Sequence, residues 1–286
     1  MLNKKIEDFD LSELVKVVNN AEKGKKDTCL KVAILRNITI DPIIHYIKYL
    51  CLNEGVKLDV YMGEYNNIFQ DILVPESLLY KKKPDIIIIC LKLEMLSAKI
   101  SNDFIVLNQN EINEEIASIL GNVNLMLSSI RNYSNSMVLV HNFEVPIYPC
   151  YGIYDYQNCS SQLNTLRKLN LQVVDIVTRH KNCYIVDIDV IQSYVGYKDF
   201  IDNRFWHIGM APYSREAYIA IAKEYIKFIR AKLGINRKCL VLDCDNTLWG
   251  GIIGEDGIDG IKLGRTYPGS AYLEFQQSIL DLYNRG

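Results

Sequence analysis

The sequence predicts an α/β protein with a three-layer α/β/α parallel-sheet domain and a shorter second unit. Short apolar segments alternate with helix-length stretches whose apolar residues recur about every 3.6 residues. Strands that are apolar on both faces are typical of a parallel sheet covered by helices on each side. The glycine content rises near the end, where eight of the 16 glycines fall in residues 250–286.

The first domain is predicted over residues 1–233, and its alternation of strands and helices is compatible with a flavodoxin-like sheet of five strands. Asp10 and Glu13 have the spacing of a capping box, which predicts an opening helix. The predicted strands are Cys29 to Leu35, Val56 to Met62, Asp85 to Leu91, Met137 to Val140 and Cys183 to Asp187. The predicted longer helices are Pro42 to Glu54, Asn110 to Tyr133, Ser160 to His180 and Arg215 to Leu233.

The second unit is predicted over residues 238–286. Gly234 is typical of a helix C-cap, and a short linker follows it. A strand is expected at Cys239 to Leu242, then a glycine-rich stretch and a helix over Gly269 to Asn284.

Charge and hydropathy exclude several classes of protein. The 32 Lys and Arg against 34 Asp and Glu give a net charge of −2, which argues against nucleic acid as an obligate partner. The longest apolar run, Ile86 to Leu91, is far short of a membrane span, and acidic residues interrupt the start where a signal peptide needs an apolar stretch. Eight scattered Cys without a CxxC pair predict reduced core thiols and a cytoplasmic location.

Two carboxylates follow the strand predicted in the second unit. Residues two apart on a strand face the same way, so Asp243 and Asp245 can share one metal ion or one phosphate. Cys244, between them, is then expected to point into the core. A calcium-binding EF-hand needs Gly at loop position six and Glu at position twelve, where this sequence has Leu248 and Gly254.

The stretch from Lys238 to Ile258 continues as DCDNTLWGGIIGEDG. It resembles the first catalytic motif and flap of the haloacid-dehalogenase (HAD) superfamily, in particular its FkbH-like branch, subfamily IIIC. The resemblance implies that Asp243 is a nucleophile and Asp245 a general acid and base, and that both hold Mg²⁺. It also implies that Asn246 and Thr247 bind the phosphoryl group.

The resemblance extends over most of the first domain. Its segments look like the amino-terminal domain of FkbH-like proteins, which is similar to the SGNH-hydrolase fold; they are Asp41-Pro42, Tyr61 to Asn66, Val186 to Asp189, Asp202 to His207 and Pro212 to Ser214. A binding pocket is expected near Asn37, Thr39, Gly63 and His207. Arg204 stands where an SGNH esterase has its catalytic Asp, so ester hydrolysis is not expected.

The resemblance implies either hydrolysis of phosphate esters or glyceryl transfer. In glyceryl transfer, 1,3-bisphosphoglycerate loses phosphate and the glyceryl group is loaded onto an acyl carrier protein. The other catalytic parts of such an enzyme lie beyond its first HAD helix, so this chain is expected to be a fragment or truncated product that is inactive alone. The alternative is a non-catalytic module that docks a carrier protein.

Overall fold

The computed structural model describes residues 4–22 and 28–286. The chain divides into two compact units, Met1–Gly234 and Ile235–Gly286.

The first unit is built on five parallel strands. They are β1 (Thr28–Arg36), β2 (Val56–Met62), β3 (Ile86–Cys90), β4 (Met137–His141) and β5 (Cys183–Val186). Their order in the sheet is β2-β1-β3-β4-β5, with Val32 opposite Val60 on one side and Ile86 on the other. This order confirms the flavodoxin-like sheet, in which β2 lies on one side of β1 and the later strands are added on the other side, beginning with β3.

Helices connect the strands and cover both faces of the sheet. Those of the first unit are α1 (Leu11–Ala21), α2 (Ile43–Asn53), α3 (Ile68–Leu73), α4 (Leu78–Lys82), α5 (Leu93–Leu96), α6 (Ala98–Asn102), α7 (Gln109–Tyr133), α8 (Gln162–Arg179), α9 (Ile188–Val195), α10 (Tyr197–Phe200), α11 (Asn203–Gly209) and α12 (Arg215–Leu233). Helices α1, α2, α9 and α12 pack together, as do α3, α7 and α8. The α/β/α class is confirmed, and the Asp10–Glu13 capping box forms at the start of α1.

The core of the first unit lies on both faces of the sheet. Every residue of β3 and β4 is buried. Ala33, Leu35 and Ile87 belong to the cluster that includes the apolar side chains of α7 and α8. The alternate residues Val32 and Ile34 are equally buried. Because successive strand side chains point to opposite faces, this burial requires helices on both sides.

A polar cluster is buried inside this core. His141 Nε2 lies 2.5 Å from the Tyr225 hydroxyl, and the Cys90 thiol lies 3.5 Å from the same hydroxyl. All three side chains are fully buried. Burial lowers the pKa of His141 to about 3 and raises that of Cys90 to about 12. The cluster is therefore uncharged at neutral pH.

The second unit differs from its prediction at the expected strand. Residues 239–242 belong to no sheet, since no strand within the described residues pairs with them, and a parallel strand is stable only beside a partner. Cys244 is correspondingly exposed rather than in the core. Two helices follow: α13 (Ile253–Gly260), which is interrupted by a kink at Gly257 and was not predicted, and α14 (Gly269–Arg285), which was predicted.

The cysteines and the helices test two further expectations. Among the described residues no disulfide forms and every cysteine is free, but only Cys51, Cys90 and Cys183 are fully buried. The expectation that most are core thiols is therefore wrong, because several lie on exposed loops or strand edges.

No helix in the described ranges has the length and apolar character needed to cross a bilayer.

The buried histidine predicts an acid-sensitive fold. The unfolded chain takes up a proton on His141 below about pH 6.5, whereas the folded chain does not until about pH 3. Stability from this group is complete above pH 6.5 and decreases as the pH falls. In urea unfolding at pH 6 and pH 5, the free energy of unfolding of the wild type should fall by about 1 kcal/mol more than that of His141→Gln. Equal losses would show that His141 is not held neutral.

Candidate functional site

Of the two motif aspartates of the second unit, Asp245 lies on a tight turn and Asp243 lies directly before it. The Asp243 side chain is exposed, and its Oδ1 accepts a hydrogen bond from the next backbone amide, Cys244 N, at 2.8 Å. Asp245 is half-buried, and its Oδ1 accepts from Trp249 Nε1 at 3.0 Å and from Ile253 N at 3.1 Å. One oxygen of Asp245 thus holds the turn against the start of α13.

The residues after Asp245 fix the shape of the glycine-rich segment. Asn246 has a φ of 53°, a left-handed conformation that asparagine tolerates well, and its Oδ1 accepts from Gly251 N at 2.8 Å. Gly250 exchanges two backbone hydrogen bonds with Lys262. Gln276 of α14 donates to the Leu248 carbonyl at 2.6 Å. The segment is therefore a hydrogen-bonded flap that packs on α14.

The carboxylate oxygens of Asp243 and Asp245 are the type of ligand that Mg²⁺ prefers. Both carboxylates have a second oxygen, Oδ2, without a hydrogen-bond partner among the described residues. Mg²⁺ prefers carboxylate oxygens and usually keeps several waters, so two protein ligands fit its chemistry. Within residues 4–22 and 28–286, no group of three or more His, Cys, Asp or Glu side chains gathers to hold a metal. Thr247, half-buried, lies on the same turn.

In the first unit, two residues of the expected pocket bind the backbone at the carboxyl edge of the sheet. The Asn37 side chain donates to the Lys92 carbonyl at 3.1 Å and accepts from Lys92 N at 2.8 Å, which links the ends of β1 and β3. Thr39 Oγ1 donates to the Gly209 carbonyl at 2.7 Å and so holds the end of α11. The polar groups of both side chains already have partners within the fold.

The other two residues of the expected pocket are placed differently. Gly63 allows a close approach, because a Cβ there would lie 2.9 Å from Asp71 Oδ2 and 3.0 Å from a Leu35 methyl. His207 is exposed on α11, and its ring makes no hydrogen bond within the described part of the chain. Neither residue lines the cavity at this edge of the sheet, whereas Trp206, the neighbour of His207, does. None of the four residues is among those that line this cavity.

A buried ion pair that the sequence analysis did not identify lies at this edge. Lys92 follows β3 and Glu144 follows β4, and their charged atoms are 3.4 Å apart. Glu94 lies 3.4 Å from the same ammonium, and the Tyr213 hydroxyl donates to Glu144 at 3.0 Å. The available signal was a charged residue within three residues of the end of each apolar strand, since parallel strands end at one edge.

The charges of this cluster stabilise each other. Burial lowers the pKa of Lys92, but the carboxylates of Glu144 and Glu94 more than offset this, so the pKa is raised overall. Burial, together with Glu144, raises the pKa of Tyr213 well above its usual value. Lys92 is therefore a cation and Tyr213 a neutral hydrogen-bond donor at physiological pH. Neither is set up as a nucleophile, and ammonium and carboxylate neutralise each other.

The first unit has an α/β/α fold, and a segment with two carboxylates, Asp243 and Asp245, follows it in the chain. Residues 31–229 match the family model described as FkbH, N-terminal domain. The chain belongs to this family. No curated protein matches the chain.

Solved structures give further likenesses. The N-terminal part of the protein BF1531 from Bacteroides fragilis, described as containing a phosphatase domain and complexed with Mg, is 27% identical with a TM-score of 0.81, over 97% of this chain and 72% of that one. An acetyl-xylooligosaccharide esterase from Geobacillus stearothermophilus is 11% identical with a TM-score of 0.46, over 76% of this chain and all of that one. A GDSL-like lipase from Bacteroides thetaiotaomicron is 12% identical with a TM-score of 0.39, over 78% and 99%.

The close approach at Gly63 predicts a large cost for a single methyl group. Gly63→Ala should lower the free energy of unfolding by about 1–3 kcal/mol, because the added Cβ meets the Asp71 carboxyl and the Leu35 side chain. Gly121→Ala is the matched control: it lies exposed within α7 with nothing near its Cβ position, and should stabilise by about 0.5–1 kcal/mol. Urea unfolding followed by circular dichroism measures both. A neutral Gly63→Ala would mean that this edge of the sheet is loosely packed.

Proposed function

We propose that this chain is part of an FkbH-like, HAD-type enzyme that acts on a phosphorylated small molecule with Mg²⁺. The observation that carries the proposal is the turn of Asp243 and Asp245, where each carboxylate has one oxygen engaged by the protein and one free. Membership of the FkbH N-terminal domain family supports it. So does the BF1531 structure, whose description names a phosphatase domain and Mg.

The proposed roles follow from these contacts. Asp243 is exposed, and the Cys244 amide orients its carboxylate, so Oδ2 is free to attack a phosphorus atom. Asp245 is held by Trp249 and Ile253 through Oδ1, which leaves Oδ2 to give a proton to the leaving oxygen and later to take one from water. Thr247 and Asn246, on the same turn, are the proposed contacts for the phosphoryl oxygens.

Mg²⁺ would be held by the Asp243 oxygen that does not attack and by the backbone carbonyl of Asp245, and would neutralise negative charge on the phosphate and on the attacking carboxylate. The chain's own residues supply the remaining chemistry. A carboxylate and a phosphate dianion repel each other, so the orientation of Asp243 by its neighbouring amide matters only once that repulsion is reduced.

The finer reaction that we propose is glyceryl transfer. Hydrolysis would remove the 3-phosphate of 1,3-bisphosphoglycerate, and the phosphopantetheine thiol of an acyl carrier protein would displace the acyl phosphate, so that two phosphates are released and the glyceryl group is left on the carrier in polyketide or related biosynthesis. This step rests on the resemblance of the motif to FkbH-like proteins. The free cysteines fit a reducing compartment such as the cytoplasm.

Substitution of the proposed nucleophile tests the function. In the full-length protein with Mg²⁺, Asp243→Asn should lower the rate of phosphate release from a phosphate ester by at least about 10³-fold, since the covalent nucleophile is lost while its volume is kept. Asp259→Asn, at an exposed carboxylate of α13, is the control and should keep the wild-type rate. Phosphate release and mass spectrometry of a carrier protein measure hydrolysis and loading separately. A rate for Asp243→Asn within tenfold of the wild type contradicts the proposed role.

A further inference from the structure

The first unit contains a cavity that the proposed phosphate chemistry does not use. Its volume is about 320 Å³, and it lies at the carboxyl edge of the sheet, where open α/β folds bind ligands. Much of its wall is apolar, formed by Leu93, Val145, Leu166, Ile201 and the ring of Trp206. Such a wall accommodates an aliphatic group.

One buried side-chain oxygen in this wall has no hydrogen-bond partner among the described residues. Gln192 of α9 is 2% exposed, and its Oε1 makes no hydrogen bond within the described residues. Gln162, the other buried glutamine of the wall, accepts from Cys150 N and donates to two carbonyls of α6. A buried acceptor without a donor is costly, so its retention beside a cavity indicates a ligand that brings a donor.

The buried and half-buried charged groups of the wall bear on the charge of that ligand, whereas the fourth charged residue of the wall, Lys198, is exposed to solvent. The Lys92 ammonium lies 3.4 Å from both Glu94 and Glu144, and Glu144 also accepts from the Tyr213 hydroxyl. A charged ligand would have to compete with these pairs and be desolvated as well. An uncharged group with an N–H or O–H donor needs only the Gln192 oxygen.

We infer that this cavity is a binding site for an uncharged small molecule with a short aliphatic part and an amide or hydroxyl donor, which Gln192 accepts. The site binds without hydrolysing, because Lys92 and Glu144 neutralise each other and the Asn37 side chain is bonded to the Lys92 backbone. It is independent of Asp243 and Asp245.

Four probes of similar size test this inference on the full chain. Pentanamide carries the donor, methyl butyrate lacks it, pentanoate is an anion and pentylammonium a cation. Binding is followed by NMR at the Trp206 indole N–H, assigned with Trp206→Phe. We expect pentanamide to bind at least about tenfold tighter than methyl butyrate, the size expected for one buried hydrogen bond, and tighter than either charged probe. Methyl butyrate should not be hydrolysed.

Substitution of Gln192 tests the assigned acceptor. Gln192→Leu should remove the preference for the amide over the ester while keeping the fold, since it replaces an unpaired buried amide by an apolar side chain. Gln172→Leu, the same change at an exposed glutamine of α8, should keep the wild-type preference. Circular dichroism checks that both variants fold. If Gln192→Leu does not fold, the ratio of the wild-type affinities for pentanamide and methyl butyrate still tests the inference.

Five results would overturn the inference. They are the absence of any binding near Trp206, equal affinities of the wild type for pentanamide and methyl butyrate, an amide preference that survives Gln192→Leu, tighter binding of pentanoate or pentylammonium, and hydrolysis of methyl butyrate.

Discussion

The burial of the parallel sheet on both faces is the constraint on which the first unit depends. The strands β3 and β4 have no exposed residue, so polar groups are confined mainly to the points where strands end. Two asparagines there connect neighbouring strands: Asn37 bonds the backbone after β3, and Asn142 bonds Asp187 and the Ile188 amide after β5. Polar side chains at the carboxyl edge, where ligands bind in such folds, therefore connect the strands to each other.

The same constraint explains the chemistry that this edge carries. Lys92 and Glu144 are placed on adjacent strand ends and are forced into contact in a region with little water, where an ion pair persists only if its hydrogen bonds are completed. Glu94 and Tyr213 complete them. The result is a polar wall whose charges are paired, beside an apolar one, which favours recognition of a ligand over attack on it.

The sequence predicted the five strands of the sheet and the helices that are long enough to show a repeating apolar pattern. The five strands and four long helices lie within a few residues of their expected positions, because apolar periodicity over a long stretch has one interpretation. The short helices α9 to α11 were not predicted as separate elements, since four to eight residues hold too little of a period. The pair of Lys92 and Glu144 lies far apart in the chain, so only the strand order brings it together. His207 was expected in a pocket, but its neighbour Trp206 lines the cavity because adjacent helical residues point in different directions.

The second unit rests on hydrogen bonds rather than on a core, and this affects how its aspartates can be interpreted. Every buried hydrophobic side chain among the described residues lies in the first unit, so the flap depends on contacts such as those of Asp245 with Trp249 and Ile253. Asp245 is thus both a structural acceptor and a proposed proton donor, and its removal would alter the flap as well as the chemistry. Asp243 bonds only the adjacent amide, so its chemical role can be separated from the structure of the turn.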